Sequence, residues 1–174
     1  MKKLLSSIAA TALIATSGLA FDPAKDLDLS KVYVNAGLAL ETVTNYDSGF
    51  ALVVNAGLPI KEDGKSVVGA EVEITQTIVS PSLNTIDASI TTVAAYSTYS
   101  YNINKQLFVK VRGGFLYESV TNEIGSYSVD TSDSGIAFGL HTGYNINEKM
   151  GAYVGYDFIE TNVNHITLGM NYRF

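Results

Sequence analysis

Glu71 and Glu73 lie two residues apart, and so do Lys110 and Arg112. On an extended chain that spacing places both members of a pair on one face. Two carboxylates on one wall and two cations on another are the parts of an ionic plug, in which arginine grips a carboxylate through two parallel hydrogen bonds. Glu118, Asp157 and Arg173 share the parity of the polar positions around them and are assigned to the same interior charge network. Spacing alone leaves open which cation meets which carboxylate.

His141 and His165 are the only histidines. Hydrolysis needs a nucleophile beside a base and an acid that orients the base. Thr142, next to His141, alternates to the opposite face, so no such set forms and the chain reads as non-enzymatic. The stretch "DTSDSG" from Asp130 to Gly135 opens like a calcium loop. Its twelfth position is His141, where a bidentate glutamate is needed. Asp130 and Asp133 therefore mark a polar surface loop, and no metal or cofactor is expected. With no cysteine in the chain there is no thiolate centre and no disulfide.

The elements that would position these residues are strands. Eight segments alternate between apolar and polar residues: 32–42, 49–60, 66–78, 90–101, 106–118, 136–146, 150–159 and a terminal run ending at Phe174. The first puts Val32, Val34, Ala36, Leu38 and Leu40 on one side; the second does so with Phe50, Leu52, Val54, Ala56 and Leu58. The last alternates Ile166, Leu168, Met170, Tyr172 and Phe174 with His165, Thr167, Gly169, Asn171 and Arg173. Connections alternate in length. Residues 61–65, 102–105 and 145–149 form tight turns, two of them containing Asn-Ile-Asn. Residues 43–48, 79–89, 119–135 and 160–164 form longer ones, of which 119–135 is the longest.

Alternation alone does not say which face is wet. The polar face carries Asn35, Glu71, Glu73, Lys110, Arg112, Glu118, His141, Asp157 and Arg173, and also Gly37, Gly57, Gly69, Gly114, Gly139, Gly143, Gly151, Gly155 and Gly169. Glycine weakens a strand and needs a reason to be there. A narrow closed interior supplies one, because small residues leave room for long charged side chains opposite. Eight strands close into a barrel that side chains just fill. The polar face therefore points inward and the apolar face meets lipid. Strands of this length suit a tilted crossing. Aromatics gather in two belts: Tyr99, Tyr101, Tyr144, Tyr172 and Phe174 near the tight turns, and Phe50, Tyr117 and Phe158 near the long loops. The expected fold is all-β, an eight-stranded antiparallel up-and-down transmembrane β-barrel.

The first twenty residues stand apart. Lys2 and Lys3 precede a short apolar stretch and a small-residue end at Gly18 and Ala20, the form of a cleaved secretory signal peptide. Residues 21–30 are a short leader, and 31–174 make the barrel. The formal net charge is −6 and becomes more negative once Lys2 and Lys3 are removed, which excludes a nucleic-acid partner. The long loops carry Asp47, Asp87, Glu123, Asp130, Asp133 and Glu160 and no Lys or Arg, while Lys61, Lys65, Lys105 and Lys149 sit at the tight turns.

The signal peptide, the eight alternating strands, the short turns and the closing Tyr172-Arg173-Phe174 resemble the small bacterial outer-membrane β-barrels of the OmpA/OmpX type. The resemblance implies a location in the outer membrane of a Gram-negative cell, with membrane lipid and lipopolysaccharide as surroundings. It implies that Phe174 and Tyr172 are part of a signal read by the barrel-assembly machinery, and that interior charges form a network. It implies no one activity. A structural or adhesin-like surface-interaction protein with an unknown surface ligand and a lumen closed by charges is the expected role. A small porin-like channel is the alternative.

Overall fold

The computed structural model describes residues 31–84, 86–124, 127–160 and 163–174. The expected signal peptide and leader lie outside these residues. Eight long strands are seen among them: β1 (Tyr33–Val43), β2 (Gly49–Asp63), β3 (Ser66–Val79), β4 (Ile86–Asn102), β5 (Leu107–Ile124), β6 (Tyr127–Asn145), β7 (Met150–Glu160) and β8 (Val163–Arg173). Each pairs antiparallel with the next in sequence, and β1 pairs with β8 from Tyr33↔Arg173 to Val43↔Val163, which closes the barrel. A two-residue strand, Ser82–Leu83, folds back onto Ile86 and Asp87. Closure satisfies every backbone group that would otherwise face hydrocarbon.

Burial follows the alternation. On β8, His165, Thr167, Gly169 and Asn171 are buried, and Ile166, Leu168, Met170 and Tyr172 are exposed. The exposed set on the outer wall is apolar on every strand, for example Leu38, Leu52, Ile74, Val93, Val111, Leu140 and Val154. No soluble protein would leave such a continuous apolar wall in water. Both expected aromatic belts stand exposed at the strand ends.

The tight turns are built by their own side chains. Gly64 adopts φ +59°, a left-handed conformation that glycine enters without strain, and makes a two-residue turn with Lys65. The two Asn-Ile-Asn turns are structural copies. Asn104 Oδ1 accepts the Gln106 and Leu107 amides at 2.8 Å each, and Asn147 Oδ1 accepts those of Lys149 and Met150 at 2.9 and 2.8 Å. These bonds replace backbone partners lost where the chain reverses.

Three expectations are corrected. Of the expected loop at 119–135, residues 119–124 and 127–135 are strand: β5 and β6 run on, 18 and 19 residues long, paired to Ile124↔Tyr127. Here the sheet has left the membrane and both faces are wet, so Ser, Thr and Asp fall at either parity and the apolar alternation disappears. Val32 and Leu58, expected against lipid, are buried with Ala70 at the tight-turn end, beside a register shift between Pro59 and Lys61. The interior is not uniformly polar. Ile90, Ala94, Tyr96, Leu116, Ala137, Ile159 and Val163 form a buried apolar layer toward the long-loop end, with Val43 and Val120 packed on it. The signal was present as unbroken apolar triplets, Ala94-Ala95-Tyr96 and Phe115-Leu116-Tyr117, in which both faces are apolar.

Candidate functional site

Glu71 and Glu73 enter the lumen from β3, Lys110 and Arg112 from β5, His141 from β6 and Asp157 from β7. All six are buried. Arg112 is the hub. Its Nη1 and Nη2 donate to the two oxygens of Glu73 at 2.5 and 3.0 Å, the bidentate fork, and its Nε donates to Asp157 Oδ1 at 2.8 Å. Its guanidinium lies 4.2 Å from the Tyr96 ring centre, so the cation also meets an aromatic face. Lys110 Nζ is hydrogen-bonded to Glu71 Oε1, which also accepts from the Tyr33 hydroxyl at 2.6 Å. Arg112 Nη1 stands 3.6 Å from the other Glu71 oxygen, joining the two halves. An amide chain extends the lattice: Asn55 Nδ2 donates to Glu73 at 3.1 Å, and Asn35 donates to Asn55.

Asp157 is shared with His141, whose Nε2 lies 2.9 and 3.0 Å from its two oxygens. A carboxylate only accepts, so Nε2 carries the proton of that bond. The imidazole stacks on Tyr153, centroids 5.4 Å apart and planes 9° from parallel. The imidazole is thus held from its edge and from its face. No group of three or more His, Cys, Asp or Glu among the described residues could hold a metal.

Glycine decides which charges meet. Gly139 pairs with Arg112 on one side and Asp157 on the other, so the three stand in one row across β5, β6 and β7. A Cβ at 139 would collide with Asp157 Oδ1 and come within 2.8 Å of Arg112 Nε. Gly155 similarly lies under the His141 ring, where a Cβ would stand 2.5 Å from Cδ2. Gly139→Ala is therefore expected to break the Arg112–Asp157 bond and to destabilise the barrel by about 1–3 kcal/mol, the usual cost of forced overpacking. Thermal loss of the folded band in a heat-modifiability gel measures it. An unchanged midpoint would mean that the row has slack.

The other expected network residues separate. Glu118 is buried higher on β5, opposite Thr92 and Asp133. Arg173 is exposed at the tight-turn end, where its Nη2 donates to Asn145 Oδ1 at 3.3 Å, away from the lattice. His165, not foreseen as a partner, pairs across the sheet with Glu41 and Asp157, its Nε2 3.9 Å from Glu41 Oε2. Glu41 accepts from Thr77 Oγ1 at 3.0 Å. Tyr172 and Phe174 meet edge to face, 5.2 Å between centroids.

The lumen is open on one side of the lattice. A vestibule of 880 Å³ faces the tight turns, lined by Tyr33, Asn35, Phe108, Lys110 and Asn171 among others. Above the lattice lies the apolar layer. The hairpin then rises beyond it. The β4–β5 ladder continues to Ile86↔Ile124 and the β5–β6 ladder to Ile124↔Tyr127, but the β6–β7 ladder stops at Phe138↔Phe158. The result is a three-stranded tongue. Its β4 edge is covered: Ser82–Leu83 pairs there, Ala88 N donates to Pro81 O, and Ile90 N donates to Thr77 Oγ1. Its β6 edge, Tyr127 to Ala137, is paired with no strand among the described residues.

A family model of the outer membrane protein beta-barrel domain matches residues 8–174. The chain belongs to that family. This outer-membrane barrel also superposes on solved structures. Ail, the attachment invasion locus protein of Yersinia pestis, is 15% identical, with 83% of this chain and 98% of that one covered at a TM-score of 0.62. The N-terminal β-barrel domain of Pseudomonas aeruginosa OprF is 14% identical, with 83% and 98% covered at 0.61. Neisserial surface protein A is 16% identical, with 82% and 97% covered at 0.58. At these identities the likeness is one of fold. No curated protein matches by sequence. The protein is an eight-stranded barrel of the outer membrane, its tight turns on the side of the chain terminus.

Proposed function

We propose that this outer-membrane barrel is a non-enzymatic surface-contact protein, with the β5–β6 hairpin as its contact element and the lumen as a closed scaffold. The observation that carries the reading is the tongue. Of its two edges one is covered and the other is left open over about ten residues, although natural sheets normally blunt such edges. Tyr127 is 81% exposed and Val129 56% exposed on that open strand. An exposed tyrosine and valine on a projecting hairpin have no use in lipid and no packing partner in the barrel.

Deleting residues 121–133 tests the reading. The shortened protein is expected to keep its heat-modifiable barrel while cells carrying it lose surface adhesion relative to wild type. Adhesion equal to wild type would remove the hairpin from the contact.

The porin-like alternative has one observation in its favour, the vestibule. Against it stand two barriers in series, the Arg112 lattice and the apolar layer from Ile90 to Val163. Two further roles complete the proposal. Tyr172 and Phe174 serve as the assembly signal at the end of β8. Lipid and lipopolysaccharide surround the apolar wall.

A further inference from the structure

Three glycines hold the vestibule open at the tight-turn end. Tyr33, Phe108 and Asn171 line it, and each lies across a glycine on the neighbouring strand. A Cβ at Gly57 would collide with the Tyr33 ring, one at Gly143 with the Phe108 ring, and one at Gly151 would stand 2.9 Å from Asn171 Oδ1. Glycine weakens a strand. Here it lets three side chains lie back against the wall, so that 880 Å³ stays clear in a type of barrel that side chains otherwise fill. Lys110, bonded to Glu71, belongs both to the lattice and to the lining, so the lattice is the inner end of the space. A molecule that enters leaves by the same mouth. A dead end of this kind holds a solute and does not pass it.

The charges select the solute. Lys31, Lys65, Lys105, Lys110 and Arg173 line the space, against Glu62 and Glu148. Glu62 takes Lys31 at 2.7 Å, and Glu71 takes Lys110. Lys65 and Arg173 donate to neutral oxygens, Ile103 O at 3.0 Å and Asn145 Oδ1 at 3.3 Å, which leave their charge in place. Lys105 stands exposed on the same lining. The side chains therefore make this mouth positive in a chain whose formal net charge is −6. Opposite charge in a concave mouth draws an anion in. A bare inorganic anion uses that charge but gains nothing from the Tyr33 and Phe108 rings, which reward a body with apolar surface. We infer that the vestibule binds a small soluble organic polycarboxylate, with its carboxylates against Lys65, Lys105 and Arg173 and its body against the two rings. Arginine suits the part, because its planar fork matches a carboxylate. Pockets of this size take small organic molecules. The short turns of such barrels face the periplasm. The ligand is therefore a periplasmic solute, and the site is independent of the hairpin at the opposite end.

The test is calorimetric titration of the protein in lipid nanodiscs with trimesate, a benzene ring carrying three carboxylates, at about physiological salt. Two other probes are compared with it: the neutral triol of the same shape, with hydroxymethyl groups in place of the carboxylates, and sulfate. Two variants are compared as well. Lys105→Glu reverses a charge on the lining, and Lys61→Glu makes the same change at an exposed tight-turn lysine outside it. Trimesate is expected to bind, and the triol, sulfate and Lys105→Glu each to weaken binding at least about tenfold. Lys61→Glu is expected to leave the affinity within about twofold of wild type. The amide resonance of Phe108 is expected to shift on titration. Absence of trimesate binding would overturn the site. Equal binding of the triol would overturn recognition by charge, and equal binding of sulfate would leave an adventitious ion site only. A loss in Lys61→Glu as large as in Lys105→Glu would replace the site by the general field of the rim. Binding that appears only after residues 21–30 are deleted would give the vestibule to the chain's own leader and remove the solute. The hairpin reading stands or falls separately, on adhesion after deletion of 121–133.

Discussion

Replacing Arg112 with alanine lowers the stability of the folded barrel by about 3–5 kcal/mol, the cost of stranding buried charges whose partner has been removed. Three bonds vanish together, two to Glu73 and one to Asp157. Glu73 keeps its bond from Asn55, and Asp157 keeps its bond from His141. Three buried carboxylates, Glu71, Glu73 and Asp157, are then left with one lysine, Lys110, which is bonded to Glu71. The heat-modifiability midpoint reads the loss. The charge origin is separable from lost packing: Arg112→Ala combined with Glu73→Gln is expected to recover part of the stability, because removing both partners costs less than removing one. Failure of the double variant to recover any would assign the effect to side-chain volume alone. Planar-bilayer recordings of Arg112→Ala are expected to show no discrete conductance. The buried side chains of Ile90, Leu116, Ile159 and Val163, with Glu41, Thr92, Glu118 and His165 among them, still fill the lumen of an eight-stranded barrel. Steps of stable conductance in the single variant would make the lattice the sole barrier.

Placing arginine at Leu168 costs about 2–4 kcal/mol, the penalty for a charge on the lipid face near the bilayer centre. Leu168 is 69% exposed, and its register neighbours Leu38 and Val154 are exposed as well. In water that substitution on an exposed site would be nearly silent. Its size therefore reports which solvent the outer wall meets. Spin labels at Leu168 and Val154 should report hydrocarbon, and a label replacing the buried Thr167 should report the interior. A silent Leu168→Arg would turn the barrel inside out, and the lattice would lose its reason to be inward.

Some of the site is visible in the alternation and some is not. The period of two places Glu71, Glu73, Lys110, Arg112 and Asp157 on one face, and the glycines on that face predict a crowded interior. Gly139 explains why that inference works: its missing side chain is the space in which Arg112 reaches Asp157. Arg173 shows the limit. Its parity matches the lattice, but parity carries no depth, and it lies at the tight-turn end bonded to Asn145. The hairpin shows a second limit. A strand is legible when its two faces meet different solvents. Residues 119–124 and 127–135 meet water on both, and their Ser, Thr and Asp read as loop although the register between them never breaks.

The chain by itself determined the barrel, the strand number, the faces and the tight turns, because a closed sheet in lipid imposes one side-chain period and one turn chemistry wherever it crosses. Only the tertiary structure decided that Arg112 takes Glu73 and Asp157 while Lys110 takes Glu71. It alone placed the apolar layer above them and left one edge of the tongue uncovered. Those outcomes depend on how far each strand slides past its neighbours around the ring, and that offset is set by all eight strands closing together, not by the pattern along any one of them.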